Sequence, residues 1–258
     1  MVSQERVQRL ETRLRALSPV AVALSGGVDS SLLYAEARRV LGEDAVAFVG
    51  VSASLSTADL TTAREVATHL EAPLLELSTD ELDNPRYRAN VGDRCYFCKS
   101  ALFDRAATEQ SLTGWTLCDG SNAEDLASDR PGMQAGSERG VCSPLRDVGF
   151  GKEEIRALAR LRGLENWNRP ARPCLASRVQ VGTEVNTDVL SHVEALETVL
   201  AEAGFRIYRA RIENERVTVV LGKDELSRLG EADWTGRFTA RAEALGYRTV
   251  LVDLNGYE

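Results

Sequence analysis

The chain has 258 residues, 43% of them hydrophobic and 27% charged, with a net charge of −8; these ordinary globular values exclude fibrous and wholly disordered classes, and the length suits one large and one small domain. No apolar run approaches the roughly eighteen residues of a membrane span, and the charged first fifteen residues lack the apolar stretch of a signal peptide, so a cytoplasmic protein is expected, with no membrane partner. The acidity has the wrong sign for a nucleic-acid coat, and no nucleic-acid partner is expected.

Val7, Leu10, Leu14 and Leu17 recur at helical spacing and predict an opening helix. Val20 to Leu24 is a short apolar run, and Ser30 to Val40 after it reads as a helix. Ala45 to Val51 predicts a second strand and Leu60 to Leu70 a further helix. Leu74 to Leu77 and Thr116 to Cys118 predict two more buried strands. Short apolar runs alternating with helices imply an α/β fold, a doubly wound parallel sheet with right-handed crossovers. The pattern changes after Gly182. Asn186 or Thr187 is placed to cap a helix striped by Leu190, Val193, Leu196 and Leu200 and ended by Gly204. Phe205 to Ile212 and Arg216 to Leu221 predict paired strands around a turn at Glu213 to Glu215. A helix near Thr235 to Leu245 and a strand Thr249 to Leu254 complete a smaller C-terminal α+β domain. The predicted division is 1–182 and 183–258.

Between the first strand and the first helix of the sheet stands Ser25-Gly26-Gly27-Val28-Asp29-Ser30-Ser31. Glycines there allow positive φ and turn N–H groups inward as an anion nest, to which the helix N-terminus adds about half a positive charge. The loop lacks the Lys-Ser/Thr ending of a P-loop and the glycine spacing of a dinucleotide fold. The motif Ser-Gly-Gly-x-Asp-Ser resembles the pyrophosphate loop of the PP-loop ATP pyrophosphatase superfamily. That resemblance implies ATP and Mg²⁺ as cofactors, cleavage between the α and β phosphates, and adenylation of a substrate oxygen. It also implies that Ser25, Gly26, Gly27, Asp29 and Ser30 hold pyrophosphate, with Asp29 near magnesium, and that adenine lies at the end of the second strand, near Ser52. Asp119-Gly120-Ser121-Asn122 follows a strand and so lies on the ligand edge of the sheet, where Gly120 is a candidate nucleotide contact.

Five cysteines in a chain without a secretion signal argue against a disulfide scaffold and turn attention to metal, redox or nucleophilic use. Cys118, inside a strand, and Cys142, beside Ser143-Pro144, read as structural. Arg172 and Arg178 flank Cys174, and cations near a thiol lower its pKa. Arg94-Cys95-Tyr96-Phe97-Cys98-Lys99 and Arg172-Pro173-Cys174-Leu175-Ala176-Ser177-Arg178, with Asp129-Arg130-Pro131-Gly132 and Ser143-Pro144-Leu145 between them, resemble the LarE family of ATP-dependent sulfur transferases. The likeness is specific from about residue 20 to 180. It implies thiolation of a carboxylate on a pyridinium dicarboxylate mononucleotide, for the nickel-pincer cofactor of lactate racemase. It also implies either that Cys174 is a sacrificial sulfur donor, with Asp29 and Arg178 in catalysis, or that Cys95, Cys98 and Cys174 hold a [4Fe-4S] cluster carrying sulfide. Family members form multimers through the second domain, so a homo-oligomer is expected.

Arg209 and Arg211, two apart, leave one face of a strand and suit the substrate phosphate, the alternative being pairing with Glu213 or Glu215. The family carries a glutamate in the next strand where Thr218 stands here. The rival readings are a tRNA-thiolating PP-loop enzyme, which needs an RNA-binding surface, and a non-catalytic adenine-nucleotide sensor.

Overall fold

The computed structural model describes residues 2–127, 131–230 and 232–257; Asp129 and Arg130 of the sequence motifs lie outside them. The chain divides into two compact units, Met1–Glu81 with Asp93–Ala171, and Leu82–Gly92 with Arg172–Glu258.

In the first unit, the strands β1 (Val20–Ala23), β2 (Ala45–Val51), β3 (Leu74–Ser78) and β4 (Thr116–Cys118) form a sheet of order β3-β2-β1-β4. Every pairing is parallel, with Val20 opposite both Ala45 and Thr116. The predicted α/β sheet is therefore present. β1 is central and buried along its whole length, which is why it reads as an unbroken apolar run instead of an alternating one. Its residues alternate between two layers. Val20 and Val22 face a core built by α1 (Gln4–Leu17), α2 (Val28–Leu41), α3 (Thr57–His69) and α8 (Lys152–Leu161), through Leu10, Leu14, Leu33, Val66 and Ile155. Ala21 and Ala23 face a second core with Phe48, Leu77, and Phe103 and Ala106 of α5 (Arg94–Thr108). The short helices α6 (Pro131–Glu138) and α7 (Pro144–Asp147) complete the unit.

The second unit joins the short helix α4 (Pro85–Ala89) to α9 (Thr187–Glu202), α10 (Ala232–Ala244) and a sheet of order β5-β6-β7: β5 (Tyr208–Glu213), β6 (Arg216–Gly222) and β7 (Thr249–Tyr257). The β5–β6 pair is antiparallel and the β6–β7 pair parallel. Asn186 caps α9, its side chain accepting from the Val189 N–H at 2.9 Å. β5 begins three residues later than the apolar pattern predicts. Phe205 turns its ring edge-on to Trp234, centroids 5.2 Å apart, and the Glu225 carboxylate takes the N–H groups of Arg206 and Ile207 at 2.8 and 2.9 Å. Those N–H groups are then lost to a strand ladder.

Residues 172–182, which the sequence pattern joins to the first domain, fold with the second unit. Buried Asn90 donates from Nδ2 to the carbonyls of Gln180 and Thr183 at 2.8 and 3.0 Å, and its own carbonyl accepts from the Gly182 N–H at 2.9 Å. Val179 forms an isolated parallel bridge with Ile212. Among the described residues no helix is long and apolar enough to cross a membrane.

Candidate active site

The glycine loop leaves β1 at Leu24 and enters α2 at Val28. Gly26 has φ +76°, and a Cβ there would lie 2.7 Å from the Asp59 carbonyl oxygen, so only glycine fits. Gly27 is the N-cap of α2 and offers no side-chain cap, so the first N–H groups of the helix are left for an anion. The hydroxyls are ordered from within: Ser30 Oγ donates to the Gly27 carbonyl at 3.1 Å and accepts from the Ser25 N–H at 3.2 Å, and Ser31 Oγ donates to Gly27 at 2.9 Å.

Gly120 meets this loop from β4. A Cβ at residue 120 would lie 2.6 Å from Ser30 N and 3.1 Å from the Asp29 carbonyl carbon. Glycine there lets the 119–122 turn rest on the first turn of α2, and it carries Asn122 to Asp29, Nδ2 to Oδ2 at 3.4 Å. Asp119 is spent on its own turn, accepting from Ser143 Oγ at 2.7 Å and Ser121 Oγ at 2.9 Å. The Lys152 ammonium bonds to Asp29 Oδ2, and the Lys152 N–H is held by Glu124 Oε1 at 2.6 Å. Asp29 Oδ1 is buried without a hydrogen-bond partner. A buried anionic oxygen with nothing to accept from suits a hard cation, so Asp29 fits Mg²⁺.

At the end of β2, Ser52 Oγ donates to the carboxylate of buried Glu81, and Ser54 Oγ donates to the same oxygen at 2.6 Å. The second oxygen of Glu81 is buried without a partner. Cys95 is exposed and Cys98 half-buried, one turn apart at the start of α5, which fits two thiolate ligands on one helix face. Cys118 is fully buried and burial pushes its thiol pKa well above the ordinary range, which suits a structural role. Within either unit, among the described residues, no three His, Cys, Asp or Glu side chains gather to hold a metal.

In the second unit Cys174 precedes a short turn at Leu175–Arg178. Arg178 is buried: Nε and Nη2 donate to Glu197 at 2.7 and 3.0 Å, and Nη1 to the Cys174 carbonyl at 3.2 Å and Ser177 Oγ at 3.0 Å, as well as to the Pro173 carbonyl. Its donors are taken up by Glu197 and by the backbone around Cys174, so in this arrangement it braces the loop. Arg172 stacks over Tyr208 at 5.0 Å and donates to its hydroxyl. Arg209 and Arg211 share one face of β5, Arg209 half-buried over the Tyr257 ring at 3.9 Å and Arg211 exposed. Burial pushes the Arg209 pKa down, and the neighbouring Arg178 and Arg211 charges push the same way, outweighing the Tyr257 side chain, which pulls it up. Glu213 pairs with Arg216 at 3.4 Å and Glu215 with Arg248 at 3.3 Å, and Thr218 stands opposite Arg211 across the ladder. Among the described residues no carboxylate neutralises Arg209 or Arg211 within the 4.0 Å of an ion pair.

Residues 6–107 match the asparagine synthase family. The uncharacterized protein slr1717 of Synechocystis is 35% identical over 256 residues, covering 99% of this chain and 96% of that protein. The pyridinium-3,5-bisthiocarboxylic acid mononucleotide synthase of Lactiplantibacillus plantarum is 33% identical over 251 residues, 96% of this chain and 90% of that one. This chain belongs to the LarE family. As a LarE protein it is an ATP-utilising sulfur transferase of the PP-loop superfamily. The uncharacterized protein MJ0830 of Methanocaldococcus jannaschii is a more distant relative, 26% identical over 261 residues.

Several residues that contact the candidate site residues of one unit or the other were not singled out by the sequence reading. Lys152 carried a signal, as one of only three lysines among 31 basic residues. Asn166, Arg169, Glu81 and Glu197 carried none, because each acts on a partner that only the fold brings near.

Proposed function

We propose that this enzyme adenylates a carboxylate of a pyridinium dicarboxylate mononucleotide, releases pyrophosphate, and replaces the activated oxygen with sulfur to give a thiocarboxylate for the nickel-pincer cofactor. The observation that carries the reading is the open, uncapped N-terminus of α2 with the partnerless Asp29 oxygen beside it. Ser25, Gly26, Gly27 and Ser30 grip the two outer phosphates, and Ser52 and Gly120 border the nucleotide. Asp29 would hold Mg²⁺, which would supply charge neutralisation on the phosphates, and Lys152, which bonds to Asp29, would turn to a phosphate oxygen. Carboxylate attack on the α-phosphorus breaks its bridge to the β-phosphate and yields an acyl adenylate.

In the sacrificial route the Cys174 thiolate attacks the acyl carbon and AMP leaves, giving a thioester. Loss of the Cα proton and cleavage of the Cβ–Sγ bond then release the thiocarboxylate and leave dehydroalanine at residue 174. In the other route Cys95, Cys98 and Cys174 would hold a [4Fe-4S] cluster, which would supply sulfide instead. Arg209 and Arg211 bind the substrate phosphate, and Arg178 braces the donor loop in either case. A homo-oligomer acting in the cytoplasm completes the proposal.

The test is to supply ATP, Mg²⁺ and the carboxylated pyridinium mononucleotide and to identify products. AMP and pyrophosphate, formed only with the carboxylated acceptor, are expected; ADP and orthophosphate overturn the reading. Iron and sulfide analysis after anaerobic purification, with intact mass after turnover, separates the two sulfur sources.

A further inference from the structure

We infer that Asn166 and Arg169 are positioning residues that set the sign of the phosphate loop by holding the Gly26–Gly27 peptide in one of its two orientations. The inference rests on the proposed use of this loop for pyrophosphate. In a planar trans peptide the carbonyl of one residue and the N–H of the next point in opposite directions. Whatever fixes the Gly26 carbonyl therefore aims the Gly27 N–H the other way. The Gly26 carbonyl is held twice: Asn166 Nδ2 donates to it at 3.0 Å and Arg169 Nη1 at 3.3 Å.

Both donors are themselves anchored. Asn166 Nδ2 also donates to Ser31 Oγ at 2.9 Å, and Arg169 Nη2 donates to Asp59 Oδ1 at 2.9 Å. Asp59 is buried, and its second oxygen accepts from Ser56 Oγ at 2.6 Å at the start of α3. The opposite side of the peptide is less committed, since the Gly27 N–H makes only a 3.4 Å contact with Ser25 Oγ and is available to a closer acceptor.

The pin is needed because the peptide joins two glycines. A peptide flip between residues without Cβ atoms meets little steric resistance. Flipped, the loop would turn a carbonyl oxygen toward an incoming anion and bury the N–H against a guanidinium. The same sequence would then repel phosphate. A guanidinium and an amide behind the carbonyl penalise that state in advance of binding, which is preorganisation in the sense that raises affinity without touching the ligand.

The full-length chain is titrated calorimetrically, in the presence of magnesium, with inorganic pyrophosphate, ATP and AMP. Arg169→Met and the near-isosteric N166D are expected to bind pyrophosphate and ATP about tenfold more weakly, the scale of one misdirected charge-assisted donor. AMP, which lacks the two outer phosphates, is expected to stay within about twofold of the parent. Arg169→Lys, which restores a cation behind the carbonyl, recovers part of the loss. Unchanged pyrophosphate affinity in both variants overturns the inference, and so does an equal loss for AMP, which would mark a general structural role. If the parent chain itself binds neither pyrophosphate nor ATP, the reading of the loop falls and the pin falls with it; that failure shows in the parent titration alone.

Discussion

Arg209 illustrates how a single side chain advertises a missing anion: its partner is the Tyr257 side chain, and among the described residues no carboxylate pairs with it. It is half-buried, its pKa is pushed down by that burial, and two further guanidinium groups add to the strain on its charge. The two glutamates nearest in sequence pair with other arginines. A cation in this position gains more from an anion than a solvated one does, because the ligand relieves a desolvation cost already incurred. In the proposed reaction that anion is the phosphate of the mononucleotide. Arg209→Ala is therefore expected to raise KM for the mononucleotide by about 10- to 100-fold, the range for losing one or two charge-assisted hydrogen bonds. KM for the dephosphorylated nucleoside, by contrast, should move little. Steady-state kinetics on the two acceptors check this, and an equal rise for both would assign Arg209 to something other than phosphate.

At the scale of elements, α2 ties the site to the core. Its N-terminal turn faces the loop, and one turn on, Tyr34 is completely buried and donates its hydroxyl to the Pro73 carbonyl at 2.6 Å. Burial raises the Tyr34 pKa from 10.0 to about 12, outweighing the opposing pull of Arg38. A raised folded-state pKa means that the neutral phenol is favoured by folding. The contribution is therefore complete below pH about 10 and is lost as pH rises toward about 12. Denaturant melts across that window are expected to show a fall in stability that Tyr34→Phe flattens, at a cost at neutral pH of about 1 kcal/mol for the lost bond. The strands and α9 were legible in the sequence because their signals are local: an unbroken apolar run for β1, an Asn cap and a four-residue stripe for α9. α5 was not, since Asp93 at its N-cap makes no side-chain capping bond and its buried stripe, Phe97, Ser100, Phe103 and Ala106, is diluted by a serine and an alanine. The glycine loop was legible as a motif. Why residue 120 must be glycine was not, because the constraint is the backbone of Ser30, ninety residues away in the chain.

Across the whole molecule, the residues proposed for adenylation and those proposed for the sacrificial route of sulfur transfer fall into different compact units. Those that grip ATP lie in Met1–Glu81 and Asp93–Ala171, whereas Cys174, its brace Arg178–Glu197 and the phosphate arginines lie in Leu82–Gly92 and Arg172–Glu258. The boundary at Ala171 separates Arg169, which holds the phosphate loop, from Cys174 by five positions of chain. Adenylation and sulfur transfer should therefore be separable by mutation. Cys174→Ser removes the thiol but none of the groups around ATP, so acceptor-dependent pyrophosphate release is expected to persist for one turnover while thiocarboxylate formation disappears. D29N removes the anionic oxygen proposed to hold magnesium, and both reactions are expected to fall by about 10²- to 10³-fold, the usual consequence of deleting one preorganised electrostatic group. Quenched single-turnover assays that count pyrophosphate and thiocarboxylate separately make the comparison. If Cys174→Ser silences pyrophosphate release as thoroughly as D29N does, the thiol takes part in activating the carboxylate and the chemistry is not divided at the unit boundary.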